Sequence, residues 1–375
     1  MGKERDAFFK AQSAHLAYAP RETVSIGGRL VGKGQSCFII AEIGGSHGDL
    51  DTARSAIDAA ADAGCDAIKF QHLTGTKIAA DTIIYDEWHG KPIGPLSGFY
   101  GSVELPNEWT EELIAHARKR GIMFLSTPFD TDAVDLLDAA GVAAFKVASY
   151  ELTDDVLIRH IARKGKPIII STGMAYLEEV AHAVRVIQEE GNDDIIVLHC
   201  VSMYPPKSFV DLNLRAITTL QEAFKLPIGY SDHSQPPFTA APVAAVALGA
   251  CVIEKHFTLA ASGRTNDSPN SLSTEELANL VREVRVTEEA LSGSGIKQPV
   301  TYPDHEGDEV SDRFTRRSVY ARRDLAAGEV LTEDMIVTLR PWGGIAPRDL
   351  PLFLGRTLQK DVRARDPLTP DAFLS

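Results

Sequence analysis

Between residues 38 and 256 the chain alternates two hydrophobic rhythms. Short, nearly continuous apolar runs at 38–43, 67–71, 123–126, 144–148, 167–172, 195–200, 227–231 and 252–256 have the length and composition of strands buried on both faces. Among them, stretches such as 51–63, 108–120 and 177–189, and 273–291 after the last run, repeat apolar residues at helical spacing. Eight such β/α units predict a (β/α)8 TIM barrel of the α/β class. A doubly wound sheet alternates in the same way. However, no Gly-rich phosphate loop follows the first run, and eight runs in so short a span favour closure.

The rhythm breaks in two places. Residues 73–107, with several Gly, Pro and aromatic residues including Trp88 and Tyr100, follow the second strand and are expected to cover the barrel mouth. Residues 292–312, rich in Gly, Pro and charge, read as a linker. Beyond them lie short β-like pieces at 317–321 and 336–339 between Gly and Pro turns, a small β-rich module whose core would be marginal alone. Ahead of the barrel, Gly27-Gly28 between two β-like pieces suggests a hairpin leading into it, at its bottom. The expected organisation is an extension at 1–36, a catalytic barrel at 37–291, a linker at 292–312 and a module at 313–375.

Composition narrows the function. A formal net charge of −14 and a pI near 5.3 argue against a nucleic-acid binder, which needs clustered Lys and Arg. The four cysteines, Cys37, Cys65, Cys200 and Cys251, are widely spaced with no C-x-x-C pair, so buried reduced thiols are expected. The charged start Met-Gly-Lys-Glu-Arg lacks the apolar core of a signal peptide, and no run reaches membrane-spanning length. A cytoplasmic location with no membrane partner is expected.

Chemistry enters at the ends of the apolar runs. In order these carry Glu42, Lys69 with Gln71, Ser126-Thr127, Lys146 with Ser149 and Glu151, and Ser171-Thr172. Ser202 and Tyr204, Ser231-Asp232-His233 and Glu254-Lys255-His256 complete the set. In a closed parallel barrel these ends converge on one face, so residues remote in sequence share one mouth. A core cannot hold so many ionisable groups unpaired, and they are expected to face a wet, ligand-filled cavity.

Lys69 and Lys146 with Ser126, Thr127, Ser149, Ser171 and Ser231 supply two cations and several hydroxyls. A small phosphate ester or carboxylate needs such a set where no P-loop offers backbone N–H groups. His233 and His256 come from neighbouring strands and could share a divalent ion with positions left open, as Lewis-acid catalysis requires. Imidazole with oxygen donors suits Mn2+, Zn2+ or Fe2+. In the alternative, both histidines only donate hydrogen bonds to an oxyanion. Glu42 is within reach as a general base, and Glu254 could orient water or a ligand.

At these residues the sequence resembles the sialic acid synthase family, whose members make nine-carbon nonulosonic acids from phosphoenolpyruvate and an N-acetylated hexose. The matching stretches are Ala41-Glu42-Ile43-Gly44, Lys69-Phe70-Gln71, Ser126-Thr127-Pro128-Phe129-Asp130 and Ser171-Thr172-Gly173-Met174. They continue through His199-Cys200, Tyr204-Pro205, Ser231-Asp232-His233 and Glu254-Lys255-His256-Phe257. In the final module Arg317-Ser318, Gly328-Glu329, Leu339-Arg340-Pro341 and Gly355 resemble the family's antifreeze-like SAF domain.

The resemblance implies a phosphoenolpyruvate pocket of Lys69, Thr127, Lys146, Ser149, Ser171 and Ser231, with Ser202 nearby. It implies His233 and His256 as metal ligands, with Mn2+ the expected ion and Mg2+ or Co2+ as alternatives, and sugar contacts from Gln71, Glu151, Tyr204 and Asp267. Family members form domain-swapped homodimers in which one subunit's module caps the other's barrel, so Arg340 and Phe314 are expected to reach a partner's site. The implied activity is that of a transferase running a metal-assisted, aldol-type condensation that releases phosphate. His233, His256, Glu42 and Glu254 are its expected catalytic residues, and Glu42 is the base. The first reading is an N-acetylneuraminate synthase using N-acetylmannosamine; the alternative is a pseudaminic or legionaminic acid synthase using a diacetamido-trideoxy hexose. A Schiff-base aldolase using Lys146, a synthase acting on a phosphorylated aldose, and an inactive sugar-binding barrel are competing readings.

The sequence departs from the sialic acid pattern in four places. Gly44-Gly45-Ser46-His47-Gly48 stands where Asn-His-x-Gly is usual, and Ser202 where some members have Asn. The segment 148–154 looks closer to pseudaminic acid synthases, while Thr265-Asn266-Asp267-Ser268 fits neither branch.

Overall fold

Each apolar run of the sequence becomes one strand of a closed parallel barrel in the computed structural model, which describes residues 21–45, 47–85, 92–259, 267–293, 295 and 315–374. Ser46, Trp88, Thr265, Asn266 and Phe314 lie outside the described residues, as does nearly all of 292–312 beyond residue 293. The chain divides into two compact units, residues 1–293 and residues 294–375.

The first unit opens with an antiparallel hairpin of β1 (Thr23–Ile26) and β2 (Arg29–Gly32). Its turn, Gly27-Gly28, has φ of 56° and 89°, a left-handed conformation that side chains other than glycine's resist. Val24, Ile26 and Val31 of the hairpin pack with Leu125, Ile169 and Val252 inside the barrel, so the hairpin plugs one end. The strands that follow are β3 (Phe38–Glu42), β4 (Ala67–His72), β5 (Ile83–Tyr85), β6 (Pro92–Pro95), β7 (Met123–Pro128) and β8 (Phe145–Val147). Next come β9 (Ile168–Ser171), β10 (Ile195–Cys200), β11 (Ile228–Asp232) and β12 (Val252–His256). β5 and β6 form a separate hairpin; the others close in the order β10-β11-β12-β3-β4-β7-β8-β9.

The pleat sorts residues between two apolar layers. Phe38, Ile40, Ala67, Leu125, Ala144, Ile169, Ile196, Leu198 and Val252 fill the interior. Their odd-phase neighbours, such as Ile39, Ile68, Phe124, Phe145, Ile170 and Ile253, face the helices. Interior space is tight: a Cβ on Gly229 would sit 2.5 Å from Leu198 Cδ2 and 2.7 Å from Val252 Cβ, so only glycine fits there. The helices that cover the outer layer begin where their caps demand. Asp49 accepts from Thr52 N at 2.8 Å ahead of α1 (Leu50–Asp62), and Ser273 forms a capping box with Glu276 ahead of the helix Thr274–Leu291.

The excursion between β4 and β7 is ordered over its described part, with short helices Gly75–Ile78 and Leu96–Gly101 flanking the β5–β6 hairpin. Glu104 accepts from Gly75 N at 2.6 Å, and Val103 packs so closely on Gly45 that a Cβ there would lie 2.9 Å from it. The excursion therefore returns across the first loop of the mouth. All four cysteines are buried and unpaired. Among the described residues no helix is long and apolar enough to cross a membrane.

The second unit is built on β13 (Ser318–Ala321) paired antiparallel with β14 (Ile336–Leu339). Val319, Ala321, Leu325, Leu331, Leu358, Leu368 and Phe373 make its small core. Arg340 follows β14 directly, and Tyr320 Oη donates to the carbonyl of Pro341 at 2.8 Å.

Candidate active site

Above the interior apolar layer the pleat brings polar side chains inward. Register makes neighbours of them: His256 is paired with Glu42, Glu42 with Lys69, and Gln71 with Thr127. Lys69 forms a close ion pair with Glu42 and donates to Thr127 Oγ1 at 3.1 Å. Lys146 Nζ donates to Ser171 Oγ at 2.6 Å and to the Val147 carbonyl at 3.0 Å. Glu254 lies between the two lysines, 4.0 Å from Lys69 Nζ and 3.9 Å from Lys146 Nζ, and accepts from Ser231 Oγ at 3.0 Å. Glu42 Oε1 accepts from Gly44 N and from Gln71 Nε2, each at 2.9 Å.

These groups are buried, and their charges are set by one another. Burial raises Glu42 to about 7 against the pull of Lys69, with Glu254 adding to the rise. Burial also opposes the charge on Glu254, but Lys146 and Lys69 together hold it down at about 2. Desolvation lowers Lys146 despite Glu254 beside it. Two ammonium groups thus face one firmly ionised carboxylate and a second that titrates near neutrality, which leaves room for an incoming anion.

The histidines occupy the adjoining edge of the mouth, with ring centroids 5.3 Å apart. His233 Nδ1 donates to the Val201 carbonyl at 3.0 Å, which turns Nε2 away from the backbone, and Cys200 Sγ lies 3.7 Å from the same nitrogen. Nδ1 of His256 is buried with no hydrogen-bond partner. Burial, then His233 and Lys69, hold His256 well below its ordinary range, in the neutral form a ligand needs. Tyr204 lies against the pair, its ring centroid 4.1 Å from that of His233 in a tilted contact and 6.2 Å from that of His256 edge to face. Among the described residues no group of three or more His, Cys, Asp or Glu side chains is arranged to hold a metal ion. What favours a divalent ion here is the buried, unpartnered His256 nitrogen beside a second imidazole, a donor pair that such an ion with open positions would use.

The remaining predicted residues surround this cluster. Ser149 Oγ accepts from Gly173 N at 2.9 Å, and a Cβ on Gly173 would lie 2.1 Å from Ser202 Oγ. Buried oxygens of Ser202 and Glu151 have no partner, and burial raises Glu151 to about 7. Asp267 Oδ2 accepts from Gly45 N at 3.3 Å and abuts Gly44. A cavity of about 540 Å3 is lined by Ser202 together with Thr172, Met174, Cys200 and Arg215. A larger one, about 1030 Å3, is lined by Gly34, Cys37, Lys225 and Cys251 and carries none of them.

The expectation that the strand-end polar groups all face the mouth is corrected at Ser126, Asp232 and Lys255, the last two being paired with each other and buried. Ser126 is not in the mouth: it stands one step out of phase with Leu125 and Thr127, and its Oγ bonds His72 Nδ1 at 2.7 Å and the Phe70 carbonyl at 3.0 Å. Two contributors escaped the sequence reading. Gly173, whose lack of a side chain admits Ser202 and Ser149, was visible only as part of a matching motif; Cys200, against His233, looked like a core thiol.

A family model described as the NeuB family matches residues 56–297, and one described as the SAF domain matches residues 316–374. An uncharacterized protein of Methanocaldococcus jannaschii is 41% identical over 346 residues, 92% of this chain and 97% of that protein. The N,N'-diacetyllegionaminic acid synthase of Legionella pneumophila is 39% identical over 342 residues, 89% of this chain and 93% of that enzyme. Among solved structures, the N-acetylneuraminic acid (sialic acid) synthetase of Leptospira borgpetersenii aligns with a TM-score of 0.66 at 34% identity, covering 78% of this chain and 96% of that one.

Proposed function

Because the chain belongs to the NeuB family, we propose that it is a nonulosonic acid synthase, joining phosphoenolpyruvate to an N-acetylated hexose and releasing phosphate. The observation that carries this reading is the convergence of Lys69 and Lys146 on Glu254, with Thr127, Ser171 and Ser231 bonded to the same three groups.

In the reaction, Lys69 and Lys146 bind the phosphate and carboxylate of phosphoenolpyruvate, with hydroxyls of Thr127, Ser149, Ser171, Ser202 and Ser231 completing the contacts. Glu254 keeps the two ammonium groups apart at a fixed spacing. Gln71, Glu151, Tyr204 and Asp267 hold the open-chain sugar over them. A bond forms between C3 of phosphoenolpyruvate and the aldehyde carbon, and the aldehyde oxygen takes a proton. Water adds at C2, giving one proton to Glu42, which supplies the one taken by the aldehyde oxygen; the C2–O bond to phosphate then breaks as C2 becomes the ketone, the phosphate carries off the remaining hydroxyl proton, and the lysines stabilise the departing anion. Poised near neutrality, Glu42 can both accept and return a proton at working pH. A divalent ion on His233 and His256, Mn2+ foremost with Mg2+ or Co2+ as alternatives, would supply Lewis-acid activation of the aldehyde.

Arg340, with Phe314, contacts the sugar from a second copy of the chain in a domain-swapped homodimer. Met174, Tyr176, Phe209, Val210 and Phe238 support a partner at the mouth. All five are exposed apolar side chains on the connections that follow β9, β10 and β11, Phe209 and Val210 on a short 3-10 helix.

The test is purified protein with phosphoenolpyruvate, Mn2+ and a panel of N-acetylated hexoses, following phosphate release and product mass. No release with any sugar, from folded and metal-loaded protein, overturns the reading; full activity in EDTA overturns the metal's part in it. N-acetylmannosamine is the first acceptor to try. A diacetamido-trideoxy hexose is the second reading, favoured by the sequence of residues 148–154 and the likeness to the Legionella enzyme, and product mass separates the two.

A further inference from the structure

One buried ion pair belongs to none of these contacts. Asp232 and Lys255 are register partners on β11 and β12, each one residue before a mouth histidine. Both side chains are essentially inaccessible, at 0% and 1% exposure. The pleat turns them away from the mouth: their same-phase neighbours Tyr230 and Ile253 belong to the layer between strands and helices. Ions in an apolar layer are costly unless every donor and acceptor is used, so the bonds they make are informative.

Those bonds all gather on the residues that flank His233. Asp232 accepts from Lys255 Nζ at 2.8 Å, Tyr230 Oη at 2.9 Å, Ser234 N at 3.0 Å and Ser234 Oγ at 2.7 Å. Lys255 donates in addition to the Ser234 carbonyl at 2.6 Å. The backbone on the far side of His233 is therefore tied at both N and O, while its ring is fixed by the Val201 carbonyl. Lys255 is covalently next to His256, so one ion pair spans the two strands that carry the imidazoles.

We propose that Asp232 and Lys255 are positioning residues, an ion-pair clamp outside the mouth that sets the spacing and aim of His233 and His256 for a shared divalent ion. The clamp rests on the metal reading above. It predicts that the pair matters for ion affinity, beyond its share in stability.

The test is calorimetric titration of Mn2+ into the full chain, alongside thermal melts. Asp232→Asn with Lys255→Met removes both charges together, so neither is left buried alone. This double variant should bind Mn2+ about 10–100-fold more weakly, as outer-shell changes at metal sites do, while remaining folded. Its KM for phosphoenolpyruvate should hold while kcat falls, because Lys69 and Lys146 are untouched. A folded double variant with Mn2+ affinity within about twofold of wild type overturns the clamp while leaving the metal reading intact. Wild type that binds no Mn2+, or binding unchanged by His233→Ala and His256→Ala, overturns the metal reading and the clamp with it. Should the double variant not fold, Tyr230→Phe and Ser234→Ala decide. Each removes one hydrogen bond to Asp232, and unaltered Mn2+ affinity in both overturns the clamp.

Discussion

Lys146 holds its ammonium nitrogen 3.9 Å from Glu254 Oε2, and that oxygen has no hydrogen-bond partner of its own. The carboxylate is thus an electrostatic spacer between Lys146 and Lys69 rather than the centre of a saturated network.

Removing its charge should expose the repulsion it masks. Glu254→Gln leaves two buried ammonium groups facing each other with Glu42 the remaining ion-pair partner, and breaking a buried pair of this kind costs about 3–5 kcal/mol. A bound dianion would replace the missing charge. The variant should therefore melt well below wild type and gain more from added inorganic phosphate than wild type does. Equal gains in the two proteins would show that the lysines do not face the anion site.

The pH dependence follows from Glu42. Its pKa is raised from 4.5 to about 7 in the folded protein, so between those values the folded state holds a proton that the unfolded state has released. Its contribution to stability accordingly falls as pH rises through that window and levels off above it. Glu151, raised to about 7 by burial, acts in the same direction. Activity moves the opposite way if Glu42 is the base: the rate should climb as pH passes about 7. A pH–rate profile that keeps its rising limb in Glu42→Gln would assign that limb to another group. Loss of the limb in Glu151→Gln instead would identify Glu151 as that group.

Why some of this was readable and some was not comes down to phase. The strands of a closed parallel sheet are buried on both faces, so they show as continuous apolar runs, and charged residues at their ends stand out against that background. Continuous runs hide the pleat, however. Nothing in Ser126-Thr127 tells which hydroxyl faces inward, and the answer, Thr127, came from its register with Gln71. The same ambiguity concealed Asp232 and Lys255, which sit beside mouth residues in sequence but face the helices. Gly173 was unreadable for another reason: its role depends on Ser149 and Ser202, which arrive from two other strands.

Gly173 offers a direct probe of the pocket wall. Its backbone needs no special conformation, so Gly173→Ala should fold, yet the new methyl would meet Ser202 Oγ at 2.1 Å and Ser149 Oγ at 2.8 Å. Overpacking of this kind costs about 1–3 kcal/mol, and here it falls on two proposed phosphoenolpyruvate contacts. KM for phosphoenolpyruvate should rise roughly tenfold, the equivalent of about 1.4 kcal/mol. Combining it with Ser202→Ala removes the nearer clash and should recover part of that loss. No recovery, once the effect of Ser202→Ala alone is subtracted, would mean that the clash does not run through Ser202.

Lys146 separates the condensation from imine chemistry. Burial lowers its pKa, which brings a fraction of neutral amine closer to working pH, as a Schiff-base lysine requires. Its surroundings favour the ammonium form, since Nζ donates to Ser171 Oγ and the Val147 carbonyl and lies near Glu254. Bonded in this way, Nζ serves as a cation and has no free lone pair for attack. Borohydride added during incubation with pyruvate, followed by peptide mass mapping, should leave Lys146 unmodified, while Lys146→Met should lose phosphate release from phosphoenolpyruvate. A reduced pyruvate adduct on Lys146 would reverse the assignment, because only an imine is reducible to a stable amine.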